Sequence, residues 1–221
     1  MLDQVTLTRP SEVSPPRRSA PAGDHLPDLL LIERARGFDE PAMEALVRRY
    51  GRRLFRVARS VLGEDAAAEA VVQEVYRGAF ADLSRYEPTG KFAAWLTQLT
   101  YQQARALRAL PRSASSAVAA DTDEAQERRE LETTLAALPE VFRTVFLLRV
   151  IEGISGIETA ASLGVHETTV RTRLYRAHRR LGADTVRRMR ALQPALHELA
   201  GARLETLAAQ VRAQLASGGA P

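Results

Sequence analysis

The stretch Ile154-Ser155-Gly156-Ile157-Glu158-Thr159-Ala160-Ala161-Ser162-Leu163-Gly164-Val165-His166-Glu167-Thr168-Thr169-Val170-Arg171-Thr172-Arg173-Leu174-Tyr175-Arg176-Ala177-His178-Arg179-Arg180-Leu181 reads as a short helix, a glycine turn and a second helix loaded with arginine. Ser155 followed three residues later by Glu158 is a capping-box pattern, which starts a helix at Gly156 or Ile157. Gly164 can take the left-handed conformation that closes that helix and re-aims the chain. Beyond it, Val170, Leu174, Ala177 and Leu181 recur at helical spacing and define one buried stripe. Thr168, Arg171, Thr172, Tyr175, Arg176 and Arg179 then fall away from that stripe, toward solvent or DNA. Residues 166–190 hold eight arginines against only Glu167 and Asp184. A basic helix can be no more than a solvated face. Here cap, turn and stripe agree on one unit, a helix-turn-helix whose second helix suits the major groove of duplex DNA.

The rest of the chain sets bounds on that reading. At 221 residues, 45% hydrophobic and 26% charged, it is long enough for one or two small globular domains. Net charge is +4 and the sequence pI about 9.9, a modest bias toward polyanions whose meaning lies in where the charge sits. There is no cysteine, which excludes disulfides, thiol redox chemistry and cysteine-ligated zinc, and fits a reducing cytoplasm. No apolar run approaches the roughly 18 residues that span a bilayer, and the first residues lack an apolar secretion segment. The four histidines (25, 166, 178 and 197) show no metal spacing with carboxylates. No phosphate-cradling glycine loop or nucleophile–base pair is evident either. No metal, cofactor or enzymatic activity is expected, and the cytoplasm is the expected location.

The pattern along the chain is helical throughout, without β-alternation of any length. Residues 1–23, with Pro10, Pro15, Pro16 and Pro21, read as a disordered leader. A first helical domain is expected over 24–110. Asp39-Glu40-Pro41 caps a helix with proline in its first turn. Met43, Leu46, Val47, Tyr50, Leu54, Val57, Ala58, Val61 and Leu62 line one face of it, and Gly63 ends it. Val72, Val75, Tyr76, Ala79, Phe80 and Leu83 mark the next helix. Residues 84–91 form a loop by composition. Phe92, Trp95, Leu96 and Leu99 then open another amphipathic helix that carries Arg105 and Arg108. Residues 111–129 read as a flexible linker, 130–183 as a second helical domain, and 184–221 as a helical C-terminal extension.

Three phrases in this order resemble the extracytoplasmic-function sigma factors of bacterial RNA polymerase, over about residues 26–182. Ala68-Glu69-Ala70-Val71-Val72-Gln73-Glu74-Val75-Tyr76 looks like the family's region-two helix that grips the polymerase clamp. Phe92-Ala93-Ala94-Trp95-Leu96 looks like the opening of its promoter-reading helix. Leu138-Pro139-Glu140 onward, through Glu152-Gly153-Ile154-Ser155 to Ala177, is similar to region four. The resemblance implies an all-α fold: a region 2 bundle and a region 4 helix-turn-helix on a flexible linker. Its partners would be core RNA polymerase and promoter DNA, with an anti-sigma factor as a further partner and no membrane. Glu69, Gln73 and Glu74 would dock on a basic coiled coil of the polymerase. Tyr86 and Lys91 would meet the melted strand, where aromatic and basic groups suit unstacked bases. Trp95 reads as mainly structural. Arg105 and Arg108 would hold phosphates. On the minus-thirty-five element, Arg171 and Arg176 would take base edges or phosphates, and Thr172 and Tyr175 thymine methyls or sugar-phosphate, with Thr168 and Arg179 on the same face. A linker over 111–129 reaches on the order of 60 Å when extended, close to two duplex turns of roughly 34 Å each.

The chain also departs from the family pattern. Ala70 stands where an aspartate usually follows Glu69, and Tyr101 and Gln102 where an Arg-Asn pair lies past the aromatics. Gly156, Ile157 and Thr159 replace Tyr, Glu and Ile, and the Thr159 hydroxyl is expected to bond back to its own helix. His166 replaces the serine that would cap the recognition helix, a change worth ~1 kcal/mol. Two rival readings remain open on the residues alone: a stand-alone helix-turn-helix regulator, and a helical protein-binding adaptor.

Overall fold

The computed structural model describes residues 25–87, 91–109 and 123–191, together with 206, 209–211 and 213. Among these residues every regular element is a helix. The first module is built on α2 (Glu40–Leu62), against which α1 (Asp28–Arg36), α3 (Asp65–Ala81) and α4 (Phe92–Arg108) pack. Local chemistry sets the ends of α2. The Asp39 side chain accepts from the Ala42 N–H at 3.3 Å, Pro41 sits in the first turn, and Gly63 stops the helix at φ 77°. Every apolar residue expected along its face is buried except Leu62, which is half-buried. Leu46, Leu54, Val57, Ala68, Val72, Tyr76, Leu83 and Leu96 form the deepest part of this core.

The second module contains α5 (Asp123–Ala136), α6 (Glu140–Phe146), α7 (Gly156–Leu163), α8 (Glu167–Leu181) and α9 (Ala183–Ala191). α6 runs on into a single π turn, Leu147–Ile151, closed by the Glu152 N–H on the Leu147 carbonyl at 2.9 Å. Such a turn is uncommon and re-registers the side chains beyond it. α5 begins inside the stretch expected as linker. Residues 123–129 are mostly strong helix formers behind an acidic first turn, and the dilution of apolar residues there was no bar to a helix. The leader 1–23 and residues 111–122 lie outside the described residues.

The sequence suggests two modules joined by a flexible linker. In the structure they are packed together. Phe146, Val150, Ile151, Ala177, Leu181, Val186 and Met189 form a core within the second module. Val145, Leu147, Leu148, Ile154, Ala160, Leu163 and Val170, from the same module, instead join the core built on α2 and α4. The α6–π turn segment thus has apolar residues on both sides, one for its own domain and one for its neighbour. From the C-terminal extension, Thr206, residues 209–211 and Ala213 are helical, and Gln210 meets Gln73 of α3 at 2.6 Å.

Candidate nucleic-acid and polymerase interfaces

The helix-turn-helix forms as its residues dictate. Ser155 Oγ accepts from the Glu158 N–H at 3.1 Å, and Gly164 closes α7 in the left-handed region at φ 62°. Only half of the capping box is made. The Glu158 carboxylate turns away from its own helix end and takes Arg53 at 2.9 Å and Lys91 at 3.0 Å. The expectation for Thr159 fails. Its hydroxyl is buried without a hydrogen-bond partner among the described residues. The Ser155 carbonyl four residues back accepts the Thr159 N–H at 2.9 Å, and the hydroxyl does not share it in the way the Thr172 hydroxyl shares the Thr168 carbonyl at 3.0 Å. His166 makes no side-chain cap on α8.

In α8, Val170, Ala177 and Leu181 are buried and Leu174 half-buried, so the stripe faces inward. Thr168, Arg171, Thr172, Tyr175, Arg176 and Arg179 are all exposed, Tyr175 by 62%. The arginine side of the recognition helix is therefore not covered by the packing of the two modules. A groove of about 440 Å³ runs beside it, lined by Val141 and Phe142 of α6 and by Thr168, Thr169, Thr172, Arg173 and Arg176 of α8. Arg173, which borders the buried stripe and which the sequence reading assigned to neither face, also lines this groove. His178 sits on the inner side, edge-on to Phe146 at 5.8 Å. Burial, with Arg190 nearby, pushes its pKa below the ordinary value of 6.5.

The first module's cations are in a different state. Lys91 is bonded to Glu158, and Glu140 lies 3.8 Å from Arg105 and 3.6 Å from Arg108. Glu140 also accepts from the Tyr101 hydroxyl at 2.9 Å, and burial together with Glu140 pushes that hydroxyl's pKa up to about 12. The unexpected Tyr101 thus builds the seam between modules. Arg56 pairs with Glu152 deep in the same seam, their side chains 11% and 5% exposed. Ser60 and Thr144 share a buried hydrogen bond at 3.1 Å. Burial works against the Glu158 carboxylate, yet the hydrogen bonds from Lys91 and Arg53 outweigh it and hold it below the usual range. These carboxylates were the residues sequence reasoning did not find. Their only trace was acidic residues in an otherwise basic module.

Tyr86, expected at the melted strand, is 9% exposed and packs on Phe92 at 5.2 Å and Trp95 at 4.9 Å. In this arrangement its ring braces the start of α4 and has no open face for a base. The loop before α4 places it there: the Leu83 and Tyr86 carbonyls are both tied to Arg36. On α3, Glu69 and Gln73 are half-exposed and Glu74 exposed, with Ala70 exposed between them. Glu74 is paired within its own helix to Arg77 at 2.8 Å, and this hydrogen bond lowers its pKa. Among the described residues no group of three or more His, Cys, Asp and Glu could hold a metal, and no helix is long and apolar enough to cross a membrane.

These elements define a two-module, all-helical protein with a DNA-reading helix-turn-helix in its second module. Sigma-70 region 2 matches residues 46–112 and Sigma-70 region 4 residues 128–181. The chain is 31% identical over 156 residues to the ECF RNA polymerase sigma factor SigE of Mycolicibacterium smegmatis, covering 64% of this chain and 60% of that one. It is 29% identical over 177 residues to the ECF RNA polymerase sigma-E factor of Escherichia coli K12, covering 70% and 92%. Among solved structures it is similar to CnrH in complex with the cytosolic domain of CnrY, with TM-score 0.58 and 29% identity over 70% of this chain and 94% of that one. The chain belongs to the extracytoplasmic-function subfamily of sigma factors.

Proposed function

We infer that this chain is a promoter-specificity subunit that binds core RNA polymerase and directs transcription initiation without itself catalysing a reaction. The observation that carries this reading is the pairing, in order, of a region 2 bundle with a region 4 helix whose arginine face stays open. In this proposal α8 reads the minus-thirty-five element through Arg171, Thr172, Tyr175 and Arg176, with Thr168 and Arg179 on flanking phosphates. Arg173, at the edge of the same groove, joins them. α4 and the loop before it approach the minus-ten element with Lys91, Arg105 and Arg108. α3 docks on the polymerase through Glu69, Gln73 and Glu74.

Reading two separated elements requires the seam to open. Lys91, Arg105 and Arg108 are now met by Glu158 and Glu140, so promoter phosphate and the second module's carboxylates compete for the same cations. An anti-sigma factor that favours the packed arrangement fits this scheme. The similar structure of CnrH holds the cytosolic domain of another protein, CnrY. A stand-alone regulator or adaptor is not favoured, since neither needs a region 2 module.

The test is capture of core polymerase by the full chain, followed by run-off transcription from genomic fragments that the holoenzyme retains. Binding with specific initiation is expected. A chain that neither binds core nor initiates from any fragment ends the reading.

A further inference from the structure

Between the modules lies a cleft of about 250 Å³ whose lining includes Arg56, Arg59 and Ser60 of α2, Glu132 and Ala136 of α5, and Arg143 of α6. Three arginines therefore meet there with one carboxylate. Arg56 is paired with Glu152, and Arg59 with Asp65 at 2.6 Å and Glu132 at 3.1 Å. Arg143 has no ion pair of its own among the described residues. Its Nη1 donates to the Ala136 carbonyl at 2.6 Å, which cancels no charge, and its Nε is buried without a hydrogen-bond partner. The carboxylate that Arg143 feels is Glu140, which already lies 3.6 Å from Arg108. Burial, with Arg108 nearby, pushes the Arg143 pKa below its ordinary value, and Glu140 only partly opposes this. Arg52, one turn before Arg56 on α2, also has a buried Nε without a partner, and its charge works against that of Arg56. A buried cation lacking a counter-charge is costly to keep, and an anion brought beside it relieves that cost.

We propose that this cleft binds a small phosphate-bearing anion, held between Arg143 of the second module and Arg56 and Arg59 of the first. A guanidinium carries five donor hydrogens in a planar fork, so an arginine that already serves a carboxylate can still donate to an anion. The arginines come from two helices, α2 and α6. A carboxylate presents two oxygens in one plane, whereas a phosphoryl group presents its oxygens tetrahedrally and can accept from both helices at once. The volume is just below the roughly 300–1,000 Å³ of pockets that hold drug-sized ligands, which suits a small anion. An anion held there bridges the modules, so its binding stabilises the packed arrangement. The site is independent of promoter reading and is tested without polymerase or DNA.

The experiment is titration calorimetry of the full chain with sodium diphosphate, inorganic phosphate and acetate, each against chloride at matched ionic strength. Diphosphate or phosphate should bind saturably, one per chain, with acetate much weaker. Arg143→Gln should weaken that binding at least about tenfold, the loss expected for a hydrogen bond to a charged group. The bound anion should also raise the melting temperature of wild type and leave that of Arg143→Gln unchanged. No saturable binding overturns the proposal. So does acetate binding as tightly as the phosphates. Binding that Arg143→Gln leaves intact marks an adventitious ion on another basic face, and also overturns it. Should Arg143→Gln lose its helical circular dichroism, Glu132→Gln decides. That change removes the carboxylate from the lining and releases Arg59 from it, so phosphate or diphosphate should bind several-fold tighter, and binding no tighter than wild type overturns the site.

Discussion

The basic residues of the two modules have opposite circumstances. On α8, Arg171, Arg176 and Arg179 stand in solvent on the far side of a stripe that Val170, Ala177 and Leu181 bury. On the first module, Lys91, Arg105 and Arg108 are each met by a carboxylate from the second. The difference teaches that net charge does not measure readiness to bind a polyanion. A cation already facing Glu158 or Glu140 must exchange one anion for another, while an exposed arginine has only water to give up. One reading surface is prepared, and the other is engaged in holding the packed arrangement.

The largest effect expected in breaking this contrast comes from the most buried pair in the seam. Removing one partner of a buried ion pair typically costs about 3–5 kcal/mol. Glu152→Ala, which removes the buried carboxylate that Arg56 pairs with, should lower the free energy of unfolding by roughly that amount, read as a lower urea midpoint. An unchanged urea midpoint would mean the seam does not depend on the pair. On the open side, Arg176→Ala should weaken promoter-fragment binding by roughly 1–3 kcal/mol if the residue reads a base. Quantitative footprinting checks this, and an identical footprint makes Arg176 a bystander. Lys91→Ala should lose less in the isolated chain, since its charge is already partly satisfied.

The double change Glu140→Gln with Glu158→Gln releases the engaged cations. Small-angle scattering should then show a larger radius of gyration, and DNA binding by the first module should rise. A radius equal to wild type would show that the remaining contacts, the Arg56–Glu152 pair and the apolar core, keep the modules together without Glu140 and Glu158. His166→Ser supplies the missing cap on α8 and should stabilise the chain by about 1 kcal/mol in thermal melts. The smallest effect is one of pH. His178 has a depressed folded pKa, so the folded state favours its neutral form and the unfolded chain binds more protons near and below 6.5. Stability of the second module should fall as pH drops through and below that value, and His178→Phe should flatten the dependence in pH-resolved melts.

Much of this was legible because it is local. Gly63 and Gly164 ended their helices, Asp39 and Ser155 capped theirs, and the inward stripes of α2, α3 and α8 followed the 3.6-residue period. The exposed set on α8 followed from the same geometry. What failed was the assignment of partners to polar residues. Glu158 was read as the second half of a capping box and instead reaches two cations of the other module. The Thr159 hydroxyl was expected to bond back to its own helix and is buried without a hydrogen-bond partner among the described residues. Tyr86 had the composition of a base-stacking residue, yet its ring closes against Phe92 and Trp95.

Helix ends, helix faces and the basic character of the recognition helix were settled by the chain alone, because each depends on residues within a few positions of one another. The tertiary structure decided that the modules lie against each other, that Glu140, Glu152 and Glu158 hold the seam, and that Gln210 meets Gln73. The hydrogen bonds that do this join residues 39 to 137 positions apart. A carboxylate's choice among distant cations depends on which surfaces burial has brought together.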